Sequence, residues 1–324
     1  MASNPYSDMP QTNASWDSFW SDSGGAGAFS ADGADHPAIA GFWGEFFEMI
    51  RRDNPAPRIA DLASGNGAVI AHALGVFEGD TANITSVDVS EKAIASIRER
   101  FPSIAGIVSD AADLSLESGG FDVVTSQFGI EYAGPGAIDE AIRLLAPHGH
   151  LAALLHHTGS EIHRDCAAGH DAVQRVQESE FVRLAIEFFS AGFEAVRGGN
   201  RALYDAAASR LNPAVKALES IFADHGEDVA AGAVAQLYSD VSRMHQRIAN
   251  YDSDEVLGWL RQMDEQLESY RGRMASMLDA ALDPEAFDRV CNKIRKANLE
   301  VEQSGPLHAP GTTAPLAWAL IVNS

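Results

Sequence analysis

The chain has 324 residues and a mass of 34.5 kDa, and 46% of its residues are hydrophobic, which suffices for a sizeable buried core and excludes a disordered or fibrous protein. Its 46 Asp and Glu residues outnumber 23 Lys and Arg, for a formal net charge of -23; a field of that sign repels phosphate and argues against a nucleic-acid partner. Two cysteines, Cys166 and Cys291, lie far apart without metal-ligand spacing, so reduced thiols are expected rather than a disulfide framework or a zinc site. The N-terminal stretch is polar and acidic with no apolar signal region, and the longest apolar run, near Leu151, has the length of a strand. These features predict a soluble, cytoplasmic protein without membrane association.

In chain order, residues 1–35 read as an irregular arm in which Trp16, Phe19 and Trp20 are spaced among Ser, Gly, Asp and Ala. Residues 37–52 carry apolar side chains at helical spacing and end in Arg51 and Arg52, predicting an amphipathic helix that Pro55 and Pro57 stop. Short apolar runs then follow at Arg58 to Ala63, Ile84 to Val89, Ile104 to Val108, Phe121 to Ser126 and His150 to His156. The stretches between them read as helices at Gly67 to Gly75, Glu91 to Arg100, capped by Ser90, and Ile138 to Leu145. Such alternation predicts βα units and a parallel sheet covered on both faces.

From Ser160 to about Ala297 the strand pattern disappears, and helices are expected at 161–178, 180–192, 201–225, 228–250, 254–281 and 284–297, the last opened by Asp283 and Pro284. Leu299 to Gln303 and Leu316 to Val322 read as a terminal hairpin that rejoins the sheet. The expected organisation is therefore an arm and helix over 1–55, an α/β core over 56–159, a helical insertion over 160–283, and a last helix and hairpin over 284–324.

Chemistry concentrates at the strand ends. Arg58 to Ala68 reads as a strand entering a small-residue turn and then a helix, where backbone can approach a ligand closely. A dinucleotide fingerprint would want a small residue three positions after Gly67, where Ile70 stands, and Asp61 at the strand end suits a cation better than a pyrophosphate. NAD is thereby disfavoured. Asp88 closes the second strand, where a carboxylate can accept both hydroxyls of a ribose, and an acidic turn with Asp110 and Asp113 follows the third.

Five pieces in this order, DLASGNG at 61–67, VDVS at 87–90, SDAADL at 109–114, FDVVTSQFGIEY at 121–132 and LLAPHGHLAALLHH at 144–157, resemble the class I S-adenosylmethionine-dependent methyltransferases. The resemblance covers about half the chain, residues 56–157 and the final hairpin. It implies a doubly wound, mostly parallel seven-stranded Rossmann-like sheet with the helical insertion after the fifth strand. It further implies that Asp61 and the turn of Ala63, Ser64, Gly65, Asn66 and Gly67 hold the methionyl part of S-adenosylmethionine. Asp88 and Val89 would take the ribose, Asp110 and Ala111 the adenine, and Gln127 and Phe128 the sulfonium side. Ala63 stands where the family often has its first glycine. The fourth strand ends in SQFGIEY and lacks the Asn/Asp-Pro-Pro-Tyr/Phe run of amino-group methylases that act on nucleic acid or glutamine, which points to a small-molecule acceptor.

Methyl transfer needs an acceptor aligned in line, its proton removed where necessary, and water excluded. Glu131, Tyr132, His156 and His157 are the residues available for proton removal, and because neighbours on a strand point to opposite faces, at most one of the two histidines faces the pocket. The helical insertion is expected to form a substrate lid or a homodimer surface, with Arg164, Arg183, Arg197 and Arg201 able to bind an acceptor carboxylate, and Phe42 and Trp43 able to cap the cofactor. The alternatives are a protein or peptide methyltransferase and a non-catalytic cofactor-binding scaffold.

Overall fold

His36 and Pro37 start the first described element. In the computed structural model, which describes residues 36–77 and 82–324, helix α1 (Pro37–Asp53) has proline in its first turn, and the His36 ring nitrogen accepts the Ala38 amide. The N-terminal arm with Trp16, Phe19 and Trp20 lies outside the described residues. The apolar stripe of α1, Ile39, Phe42, Trp43, Phe46, Phe47 and Ile50, is buried along its length. Trp43 stacks on Phe47, and Phe42 meets Trp43 edge-on. Phe42 and Trp43 thus serve as core packing, where a cofactor cap was considered.

Alternation of strand and helix then continues as β1 (Arg58–Leu62), α2 (Ala68–Val76), β2 (Asn83–Asp88), α3 (Glu91–Arg100), β3 (Ala105–Val108), β4 (Phe121–Gln127), α4 (Pro135–Leu144) and β5 (Leu145–Leu155). Ser90 caps α3 by accepting the Ala93 amide. After five further helices come α10 (Pro284–Lys296), with Asp283 as its cap, and the hairpin β6 (Glu300–His308) and β7 (Pro315–Asn323). The seven strands lie in the order β3-β2-β1-β4-β5-β7-β6; β1 to β5 are parallel, and β7 runs antiparallel to both neighbours.

Period-two alternation builds the two faces of this sheet. Ala60, Leu62, Val87, Val124, Leu151 and Leu320 pack with Ile138 of α4 and Phe287 of α10, whereas Ile59, Ile84, Val123, Ala152 and Ala319 pack with α1, Ile70 of α2 and Ile97 of α3. The sheet is doubly wound. Because β1 has β2 on one side and β4 on the other, the chain reverses direction of winding between β1 and β4, and the crevice at their carboxyl ends is where open sheets of this kind bind ligands.

The chain divides into two compact units, one running to His163 and resuming over Ser276–Ser324, the other Arg164–Ala275. The second unit is helical. It contains most of α5 (Glu161–Glu178), then α6 (Phe181–Val196), α7 (Arg201–His225), α8 (Ala233–Gln246) and most of α9 (Ser253–Ala280). Its own core includes Val173, Phe181, Phe189, Leu211, Leu218, Leu237 and Leu260.

Three elements differ from the sequence reading. The single helix expected over 228–250 is a 3-10 turn (Val229–Gly232), α8 and a second 3-10 turn (Ile248–Asn250), because Ala230, Ala231 and Gly232 take left-handed φ of 54°, 53° and 76°. Alanine is a strong helix former, so only Gly232 marks the break. β6 runs through Gly305 and Pro306, which read as loop; Pro306 is tolerated because β6 is the edge of the sheet. β5 begins five residues early, at Leu145, with a register shift opposite Phe121 and Val123 that takes up Pro147 and Gly149.

Candidate functional site

The turn after β1 is built from backbone geometry that most residues avoid. Ala63, Gly65 and Gly67 have φ of 51°, 53° and 83°. For an alanine this conformation costs about 1–2 kcal/mol, so Ala63 is held there by its surroundings. At Gly67 an added Cβ would lie 3.0 Å from the Phe101 ring. Two straps hold the turn to β2: the Ser64 amide donates to the Val87 carbonyl at 3.0 Å, and the Ser64 and Ser86 hydroxyls meet at 2.6 Å. The carbonyl of buried Asn66 accepts from Arg100 at 2.5 Å.

Asp88 joins the tips of β1 and β2. One carboxylate oxygen accepts the Gly65 amide at 2.8 Å and the other the Ser90 amide at 2.9 Å, with half-buried Val89 at the bend between them. The carboxylate thus fixes the turn at Gly65. At the next strand, Asp110 is exposed and accepts the Ala112 amide at 2.9 Å, and Ala111 is buried beside it.

Asp61 sits deeper, with 1% of its surface exposed. Its Oδ1 accepts from the Thr125 hydroxyl at 2.9 Å, directly across the β1–β4 pairing, while its buried Oδ2 has no hydrogen-bond partner among the described residues. Burial pushes the acid up to about 7, against the lowering effect of the Thr125 hydrogen bond and with a further rise from the Asp88 charge.

Beyond β4, Gln127 is half-buried and its side-chain oxygen accepts the indole N–H of Trp43 at 2.5 Å. Phe128 takes a left-handed φ of 52° and stacks on the His156 ring with centroids 4.6 Å apart. Gly129 has no room for a side chain, since a Cβ there would lie 2.6 Å from the Ala63 Cβ and 2.8 Å from its carbonyl oxygen. The β1 and β4 loops therefore meet at Ala63 and Gly129.

His156 is buried, and its Nε2 pairs with the Tyr132 hydroxyl at 3.0 Å. Burial, aided by the charge of His163, pushes its pKa down to about 3, so the ring is neutral near neutral pH. The Glu131 side chain is equally buried; Oε1 accepts the His156 backbone amide at 2.9 Å, and Oε2 has no hydrogen-bond partner among the described residues. Burial raises this acid to about 7 in spite of the backbone amides it accepts. His157 turns elsewhere, stacking on Trp318 at 4.1 Å and pairing its Nδ1 with the Thr158 carbonyl.

Hydrogen bonds thus tie Asp88 to the 63–67 turn at Gly65 and Asp61, at the end of β1, to Thr125; hydrogen bonds and ring stacking gather Phe128, Glu131, Tyr132 and His156 into a second group, and Gly129 between them packs against Ala63 of the turn. Asp110, Ala111 and His157 make no side-chain contact with either in these bonds. In the helical unit, Arg183 pairs with Glu180 and Glu187, Arg197 with Glu194 and Arg201 with Asp205, each a surface pair within its own stretch of chain. Among the described residues no three His, Cys, Asp or Glu side chains group as a metal site.

Sequence reasoning missed Thr125, the bond of Trp43 to Gln127, and Gly129. The first two act across the fold, from residues distant in sequence, and only the paired strands reveal them. Gly129 carried a local signal, a glycine directly after a strand end, which marks close backbone approach.

Residues 59–149 match the profile of a methyltransferase domain family. These are the residues of β1 to β5, with the strand order and the carboxylate-bearing strand ends described above. Over these residues the chain is similar to the methyltransferase domain family. A demethylmenaquinone methyltransferase of Beutenbergia cavernae is 32% identical over 99 residues, which are 30% of this chain and 40% of that protein. The match therefore spans well under half of the relative. Among solved structures, an S-adenosylmethionine-dependent methyltransferase of Mesorhizobium loti is 25% identical, covering 32% of this chain and 48% of the other at a TM-score of 0.29. One from Aquifex aeolicus is 16% identical, covering 38% and 70% at a TM-score of 0.32.

The residues around Asp61 fit S-adenosylmethionine, the methyl donor that the methyltransferase-domain match implies. A buried carboxylate oxygen without a donor suits an ammonium group, and the glycine turn leads into α2, whose N-cap residue, Gly67, places no side chain over the helix amides.

Proposed function

We propose that this protein transfers a methyl group from S-adenosylmethionine to a small-molecule acceptor and releases S-adenosylhomocysteine. The observation that carries the reading is that buried Asp61 at the end of β1, the 63–67 turn that follows it and Asp88 bonded to that turn all lie at the sheet's switch point. When bound, S-adenosylmethionine supplies an electrophilic methyl group on a sulfonium. Asp61 would hold its ammonium group, the turn its methionyl chain and Asp88 its ribose, with Asp110 and Ala111 toward the adenine. Gln127 and Phe128 would border the sulfonium.

A small acceptor is favoured over a protein by the absence of the Asn/Asp-Pro-Pro-Tyr/Phe run, and over any polyanion by the net charge of -23. The Beutenbergia relative's name, too, is that of an enzyme for a small molecule.

Of the four residues considered for proton removal, Glu131 is best suited. Its acidity lies near neutrality, where a general base combines availability with strength, and one of its oxygens makes no hydrogen bond to the described residues. His156, with its pKa near 3, is too weak a base for this role and instead holds the Tyr132 hydroxyl. His157 is committed to Trp318.

The test is S-adenosylhomocysteine release from S-adenosylmethionine across a panel of phenols, hydroquinones, amines, thiols and carboxylates. Acceptor-dependent release that Asp61→Asn abolishes supports the reading. Release from a peptide library but from no small molecule would replace the acceptor class.

A further inference from the structure

The helical unit contains a cavity of about 440 Å³ among α6, α7 and α8. Small-molecule sites run from about 300 to 1,000 Å³. One turn of α-helix, ~10 Å across and ~5.4 Å long, would fill such a space by itself, so the cavity matches a compact molecule rather than a docked helix.

Its floor is apolar and buried: Phe181 and Phe188 from α6, Leu211 from α7 and Val241 from α8. Phe188 is fixed edge-on between Phe189 and His245, with centroids at 5.4 and 4.9 Å. An aromatic wall held at that angle accepts a flat ring. The mouth is polar and exposed, with Asn212 of α7 and Ser242 and His245 of α8. In a chain this acidic, no Asp, Glu, Lys or Arg lines the cavity, so a neutral occupant enters it without an unpaired charge.

One further feature selects a hydrogen-bond donor. Pro213 lies inside α7, within the stretch that lines the cavity, and proline has no amide hydrogen to give the carbonyl four residues back, that of Ser209. The Ser209 hydroxyl is turned back to the Asp205 carbonyl at 2.9 Å. A backbone acceptor without its helical donor therefore lies on the segment that borders the cavity.

We propose that this cavity is a second small-molecule site, separate in its residues from the cofactor cluster, for a neutral one- or two-ring aromatic molecule bearing a hydroxyl donor. The proposal does not rest on the methyl-transfer reading.

It is tested by titrating the full chain with 1-naphthol, 1-methoxynaphthalene and 1-naphthoate, following binding by calorimetry. The expected result is saturable one-to-one binding of 1-naphthol, with the methyl ether and the anion each weaker by ~5- to 10-fold, the size of one hydrogen bond. Val215→Trp, which fills the cavity, should abolish binding while helical circular dichroism is kept; Ala208→Leu serves the same purpose should the tryptophan variant fail to fold. Pro213→Ala restores the amide and should bring 1-naphthol down to the level of its methyl ether. Absence of saturable binding, or equal binding in a folded cavity-filled variant, overturns the proposal. So does a concentration-dependent dimer that the filled variant dissociates, since a second copy would then be the occupant.

Discussion

The indole of Trp43 donates to the side-chain oxygen of Gln127 at 2.5 Å, from a helix that precedes the sheet to the end of its fourth strand. Indole nitrogen can only donate, so the bond fixes which end of the amide is the oxygen and leaves the Gln127 NH2 as a donor on the other side. Trp43→Phe keeps the ring packing but strands that oxygen. The expected outcome is a loss of about 1–3 kcal/mol in stability by denaturant unfolding, with weaker S-adenosylhomocysteine binding. Unchanged affinity would separate Gln127 from the cofactor.

Asp88→Ala removes the acceptor for both the Gly65 and Ser90 amides. Cofactor affinity should fall by about 1–3 kcal/mol, roughly 5- to 150-fold, through loss of the turn's shape as well as of the proposed ribose contact. Asp88→Asn keeps one acceptor and should fall between the two, as read by calorimetric titration.

Gly129→Ala places a methyl group against Ala63, whose carbonyl is backbone and cannot swing aside. Overpacking of this kind costs about 1–3 kcal/mol. Thermal unfolding should report that loss, together with weaker cofactor binding, because the displaced residue opens the 63–67 turn.

The pH dependence runs in opposite directions for stability and binding. Asp61 and Glu131 are both raised to about 7 in the fold. The stability that comes from their holding protons is full below about pH 4, the unfolded carboxylate range, and is lost as pH rises through 7. Binding of a cationic ammonium needs Asp61 ionised, so cofactor affinity should rise over the same interval. Asp61→Asn should flatten the binding profile, and Glu131→Gln should leave it while lowering turnover. A binding profile that stays steep without Asp61 would assign the titration elsewhere.

Tyr132→Phe removes the hydroxyl from His156 Nε2 but keeps the ring. Turnover should fall while cofactor affinity holds. Equal loss of both would make the pair structural.

Much of the sheet was legible because local chemistry and global fold agree. Apolar runs of strand length alternate with capped helices, and the Ser90 and Asp283 caps stand where the sequence puts them. Where they disagree, the sequence misleads: Ala230 and Ala231 prefer a helix but take a left-handed turn, and Pro306 reads as loop yet sits in an edge strand. The carboxylates at the strand tips were visible as residue types. Their environments were not. The burial that raises Asp61, lowers His156 and leaves Glu131 near neutrality depends on neighbours from other strands, and the hydrogen bonds of Thr125 and Trp43 span 64 and 84 residues of sequence.

Calorimetric titration of the purified chain with S-adenosylmethionine, S-adenosylhomocysteine and NAD, each alone and repeated with Asp61→Asn, tests the central claim most directly. Saturable binding of the first two, strongly weakened by the substitution, is expected, with no response to NAD. Silence toward both sulfur ligands, or undiminished binding without the Asp61 carboxylate, would contradict it.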